Sequence, residues 1–170
     1  MQPASDGLDF YYPYTLDYES PGHTDRVTRE GARQLAQVPG QWELPLYAVL
    51  APPALRRGLA KRSGSFTTKL PGDDLLFWSA APLGLAMTED EVFETLVYTL
   101  ERRLRGNHAP MTLALSTERY ADGFAAPSAD TTQRRRALER FLERANQLDA
   151  VLDSHARVMR WVRAPSLPLP

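Results

Sequence analysis

The sequence predicts an α+β fold, with helices laid on one face of a small, mostly antiparallel sheet. Three stretches predict it. Residues 65–80 alternate and turn like a β-hairpin, 88–105 carries the start and stop signals of a capped helix, and 131–163 keeps a helical period without glycine or proline.

In the hairpin, Phe66, Thr68 and Leu70 alternate with Thr67 and Lys69. Pro71-Gly72 fits a type II turn, and Leu75–Ala80 (LLFWSA) supplies the return strand until Pro82-Leu83-Gly84 breaks it. Thr88 and Glu91 then form a capping box, with Glu89, Asp90 and Glu91 set against the positive end of a helix. Val92, Phe93, Leu96, Val97, Leu100 and Leu104 give that helix its apolar face, and Arg102, Arg103 and Arg105 complement its negative end. Gly106-Asn107 stops it.

The C-terminal stretch repeats apolar residues in steps of three and four: Leu138, Phe141, Ala145, Leu148, Leu152, His155, Met159 and Val162. Leu142, Val151 and Val158 widen this seam. As one helix it would run roughly 50 Å. A domain of this size is only about 40 Å across, so the helix would overrun it and offer its seam to the sheet or to another subunit. Asp153-Ser154 is a competing stop that would make Ala156–Val162 a strand. That segment does not alternate cleanly, so a continuous helix is the expectation.

The remaining organisation is expected as a Tyr-rich acidic arm over 1–22, a single domain over 23–163 and an extended Pro-rich tail over 164–170. The arm carries Tyr11, Tyr12 and Tyr14 between prolines, and reads equally as a contact arm or as an edge strand. Thr24–Val38 and the basic stretch Ala54–Arg62 read as short helices, Trp42–Ala51 and Met111–Ser116 as strands, and Thr117–Ala129 as a loop.

Composition narrows the function. With 43% hydrophobic and 24% charged residues the chain is globular, and the absence of cysteine excludes disulfides, thiol catalysis and Cys-based metal sites. No apolar run approaches the roughly 18 residues of a membrane span, and the N-terminus lacks a signal-peptide pattern, so a soluble cytoplasmic protein without membrane partners is expected. Net charge is −1 but segregated: −4 over 1–50, +5 over 51–70, −6 over 71–94 and +4 over 95–170. Eighteen arginines against two lysines favour planar, bidentate contacts, although a GC-rich coding sequence gives the same bias.

No nucleophile elbow, Walker loop, dinucleotide fingerprint or His-Glu-x-x-His is present. Asp153-Ser154-His155 has the residue types of a hydrolytic triad, but consecutive helical side chains diverge and cannot form the relay. His23-x-Asp25 lacks further ligands in sequence, and the acid clusters Asp73-Asp74 and Glu89–Glu91 have sufficient roles in a turn and at a helix start. No catalytic, cofactor or metal residue is therefore assigned, and no enzyme is expected.

The leading expectation is a protein-protein interaction or assembly subunit, homo-oligomeric or part of a larger complex. Its contacts would be Leu138, Phe141, Leu148, Leu152, Met159 and Val162 with Tyr11, Tyr12 and Tyr14. The second is a nucleic-acid-binding or regulatory protein using Arg56, Arg57, Arg62, Arg134, Arg135 and Arg136, a face that interspersed Glu139 and Glu143 already offset. The third, a metal-dependent hydrolase, needs His23, Asp25 and an acid cluster to converge.

Overall fold

The structure, a computed structural model, describes residues 14–15, 42–43, 49–64, 69–106, 110–121 and 129–158. Among these it is α+β, with two two-stranded antiparallel sheets and several helices. The chain divides into two units, one of residues 46–102 and 111–152, the other of 1–45, 103–110 and 153–170.

In the larger unit, β3 (Val49–Leu50) pairs with β4 (Lys69–Leu70), Val49 opposite Leu70 and Leu50 opposite Lys69. Val49, Leu50, Ala51 and Leu70 are buried. Between the strands lies α1 (Pro53–Ser63), started by proline in its first turn and ended by Gly64 at φ +70°. The ring of Pro53 presets the helical φ, and only glycine takes the left-handed stop without cost. Leu59 is its buried anchor.

The hairpin reading of 65–80 is corrected here. Lys69–Leu70 pairs with β3, and the expected return strand is a helix, α2 (Asp74–Trp78). An unbroken apolar run such as LLFWSA fits a buried strand or a helix equally by period. The cap decides between them: the Asp73 carboxylate accepts the Leu75 N–H at 2.7 Å, satisfying a donor that a helix start leaves open. The chain then folds back on this helix. Leu85 and Met87 donate their N–H groups to Leu76 and Phe77 carbonyls at 2.8 and 2.7 Å, covering acceptors that the helix end leaves open. Gly84 makes this approach feasible, because a Cβ there would lie 2.4 Å from the Ser79 carbonyl oxygen.

The capped helix is present as α3 (Glu89–Arg105), and its box is reciprocal. Thr88 N–H donates to Glu91 Oε2 at 2.9 Å, and Glu91 N–H to Thr88 Oγ1 at 3.3 Å. Its buried face is more polar than the apolar residues alone indicate. Thr95, Thr99 and Arg103 share it with Val92, Leu96 and Leu100, while Phe93, Val97 and Leu104 are half-buried. Thr99 earns its position as a bridge: its hydroxyl donates to the Thr95 carbonyl and accepts the Leu50 N–H of β3, both at 2.8 Å.

Met111–Ser116, expected as a strand, makes a single parallel bridge, Ala114 with Asp73. The expected loop after it begins with one helical turn, α4 (Thr117–Tyr120). The last helix of the unit, α5 (Ala129–Gln147), buries Thr131, Ala137, Phe141 and Ala145. Leu138, Leu142 and Leu148 are half-buried.

The continuous helix over 131–163 is also corrected. Asp149 takes the left-handed conformation at φ +56°, and Ala150 and Asp149 donate back to the carbonyls of Ala145 and Asn146. This is the paired closing pattern of a Schellman motif, with aspartate in the place usually held by glycine. An aspartate tolerates that conformation better than most residues, so a stop forms without glycine or proline. At 19 residues α5 is roughly 28 Å long and does not overrun a domain of this size.

In the smaller unit, β1 (Tyr14–Thr15) pairs with β2 (Trp42–Glu43), Tyr14 opposite Glu43. Trp42–Ala51 is thus two dipeptide strands in different sheets, with Pro45 between them. The buried Arg103 guanidinium donates to the Pro110 carbonyl. Asp153-Ser154 does start a new element, but a helical turn over 155–158 rather than a strand, with Ser154 accepting the Arg157 N–H. The Thr24–Val38 helix, Tyr11, Tyr12, Met159 and Val162 lie outside the described residues.

If backbone strain sits at Asp149, Asp149→Gly removes it. This substitution is expected to raise stability by about 1 kcal/mol, read as a higher urea midpoint at unchanged slope. A lower midpoint would mean that the aspartate side chain itself holds the stop.

Candidate functional site

Two charged nodes and one exposed apolar pair stand out in the larger unit. The first node is the opening turn of α3. Arg62, at the end of α1, grips Glu91 with both terminal nitrogens and also donates to the Ala86 carbonyl at 3.2 Å. Arg140 of α5 reaches Glu89 at 2.9 Å and Asp90 at 2.7 Å, with its guanidinium 4.3 Å from the Phe93 ring centre. Arg136 adds a 3.4 Å pair with Glu89, and further along α3 Arg144 meets Glu101 at 3.3 Å. Burial pushes the Glu91 carboxyl up, but the Arg62 guanidinium and the Thr88 N–H and hydroxyl outweigh it and hold the group below its ordinary 4.5.

The second node surrounds Asp74 at the first turn of α2, a side chain in a residue only 2% exposed. Its Oδ2 accepts the Ser116 N–H at 2.7 Å, and its Oδ1 lies 3.7 Å from Arg119 Nε. The Trp78 indole donates to Tyr120 Oη at 3.1 Å. Burial pushes the Tyr120 phenol up, and the indole N–H pulls it the other way, so net it titrates above its ordinary value. From α5, Arg135 Nε donates to the Tyr120 carbonyl at 2.5 Å, and Arg134 to the Arg119 carbonyl at 3.5 Å. These arginines occupy the negative end of α4, where cations are favoured.

The arginines singled out for nucleic acid therefore have protein acceptors in five of six cases: Arg62, Arg134, Arg135 and Arg136 as above, and Arg56 on the Ala51 carbonyl at 3.0 Å. Arg57 is exposed. Part of the segregated charge legible in the sequence is complementary within one chain, Arg62, Arg136, Arg140 and Arg144 meeting Glu91, Glu89, Asp90 and Glu101.

The expected contact residues separate. Phe141 is 6% exposed and faces its own unit, and Leu138 and Leu148 are half-buried. Leu152 and its neighbour Val151 are 62% and 54% exposed, just beyond the Asp149 stop. Tyr14 stands in β1. His155 is exposed, Asp73 is a helix cap, and among the described residues no group of three or more His, Cys, Asp or Glu is arranged to hold a metal. His23 and Asp25 lie outside the described residues. Sequence reasoning missed the Asp74 node; only two adjacent aspartates after Pro-Gly signalled it, and a turn explained them equally well.

No family model matches the chain, and neither a curated protein nor a solved structure matches it.

The depressed Glu91 value sets the sign of a pH effect. A carboxylate held below its unfolded value of 4.5 stabilises the fold above that pH, and the contribution disappears as pH falls through the lower folded value. The stability gap between wild type and Glu91→Gln is expected to be full near neutrality and to close between about pH 4.5 and the acid limit of the titration. A gap independent of pH, measured by denaturant titration at a series of pH values, contradicts the Arg62 pairing.

Proposed function

We propose that this protein is a non-enzymatic interaction module, an assembly subunit that joins another protein chain through the segment following α5. The observation that carries the reading is the adjacent pair Val151 and Leu152, both more than half exposed immediately after the helix stop. Covering a large aliphatic side chain is worth about 1.5–3 kcal/mol, so a contact that takes both gains a useful fraction of a binding free energy. Half-buried Leu148 stands three residues before Val151, and Met159 and Val162 follow the pair in the sequence. Tyr11, Tyr12 and Tyr14 supply a second set of aromatic anchors of the type that interfaces favour. No helix among the described residues is long and apolar enough to cross a membrane, and a cysteine-free chain suits the reducing cytoplasm, the location we assign.

The nucleic-acid reading gains no support from the arginines, because binding phosphate would displace carboxylates or carbonyls already in place at Arg56, Arg62 and Arg134–Arg136. The metal-dependent hydrolase reading has no supporting cluster among the described residues.

The simplest partner is a second copy of the chain. Size-exclusion chromatography with light scattering at high micromolar concentration is expected to give a mass above one chain, falling to one chain in Leu152→Asp. Leu152 lies outside α5, so helix content should be unchanged in that variant. A wild type that is strictly monomeric, at any salt, contradicts self-assembly and leaves a different chain as the partner.

A further inference from the structure

We infer that Met111–Ala121 is a strap that opens as a unit and is latched by the Asp74 carboxylate. The strap crosses the start of α2. Ala114 donates its N–H to the Gly72 carbonyl at 2.8 Å and accepts the Asp74 N–H at 3.1 Å. Both oxygens of Asp74 then serve the strap, one taking the Ser116 N–H at 2.7 Å and the other facing Arg119 at 3.7 Å. Trp78 holds Tyr120 at its far end.

The attachment is asymmetric. Every other helix and strand of the larger unit places at least one apolar side chain in the core: Leu50, Leu59, Leu70, Phe77, Leu96 and Phe141 stand for the six. The strap places no fully buried side chain there: Met111, Leu113 and Tyr120 are half-buried, and Leu115 is 40% exposed. What it covers is buried, and its specific fastenings are polar. Arg134 and Arg135 of α5 also donate to the Arg119 and Tyr120 carbonyls. Releasing the strap therefore costs these and the Gly72, Asp74 and Trp78 hydrogen bonds, one ion pair and partial apolar cover, while the fully buried core stays closed. Segments held in this way open at lower free energy than the whole domain. Asp74 is the natural latch, since a carboxylate withdrawn from water depends on the partners that replace water, and here the strap supplies them. Opening presents the Asp74 carboxylate and the Gly72–Asp74 backbone to solvent.

Amide hydrogen exchange on the full chain, followed by NMR, tests this. Ala114 and Ser116 should exchange faster than Leu96–Leu100 of α3 in the wild type. Asp74→Asn keeps the side-chain shape and removes the charge; it should speed exchange at Ala114 and Ser116 by about tenfold or more while leaving Leu96–Leu100 unchanged. Arg119→Gln, on a partly exposed side chain, should act in the same direction with a smaller factor, and it carries the test with the wild type if Asp74→Asn does not fold. Equal protection of strap and α3 in the wild type overturns the inference. Equal acceleration of both regions in the variants overturns it as well.

Discussion

Three carboxylates in the first turn of α3 set the register of the larger unit. Glu89, Asp90 and Glu91 sit where a helix presents unpaired N–H groups and partial positive charge, so they stabilise α3 before any partner arrives. Each is then used a second time. Glu91 receives Arg62 from α1, and Glu89 and Asp90 receive Arg140 from α5. Partly exposed pairs of this kind contribute about 0–1 kcal/mol each, too little to hold the fold. Their role is to specify which face of α1 and α5 meets α3, while Leu59, Phe77, Val92, Leu96, Leu100 and Phe141 supply the larger apolar term. The Thr99 bridge to Leu50 completes the arrangement by giving a strand N–H an acceptor inside the core.

Much of this was legible in the sequence, and the failures have physical causes. The capping box at Thr88 and Glu91, the Pro53 start and Gly64 stop of α1, and the alternation of charge along the chain all have direct structural counterparts. Leu75–Ala80 misled because an apolar run has no period of its own, and the Asp73 cap that made it helical resembles turn chemistry. The end of α5 was hidden because the left-handed residue is Asp149, not glycine. Its inward face was also partly hidden, since two of the buried positions, Thr131 and Ala137, lie outside the apolar repeat, while Leu138 and Leu142 stand at the margins. On α3 the polar positions Thr95, Thr99 and Arg103 recur every four residues, a period that matched the core once their roles as bridge and carbonyl donor were known.

A helix that overran its domain would carry a long seam for a partner; a 19-residue helix with Phe141 and Ala145 turned inward has spent that seam on its own unit. Among the described residues the exposed large apolar side chains lie elsewhere, at Val151 and Leu152 where the chain leaves helical geometry, and at Leu75, Leu83 and Leu115. The Asp74 node is the counterpart on the other side of the stability scale, a polar fastening on a segment with no fully buried side chain of its own.

Whether α5 is packed internally or between chains is settled most directly by the concentration dependence of unfolding for wild type and Phe141→Ala. With Phe141 inside its own unit, the truncation is expected to cost about 3 kcal/mol at every protein concentration, and any concentration dependence that self-association at Leu152 gives the midpoint should be the same in both chains. A wild-type midpoint that climbs with concentration, and loses that climb when Phe141 is truncated, would contradict the internal packing and return the α5 seam to an interface.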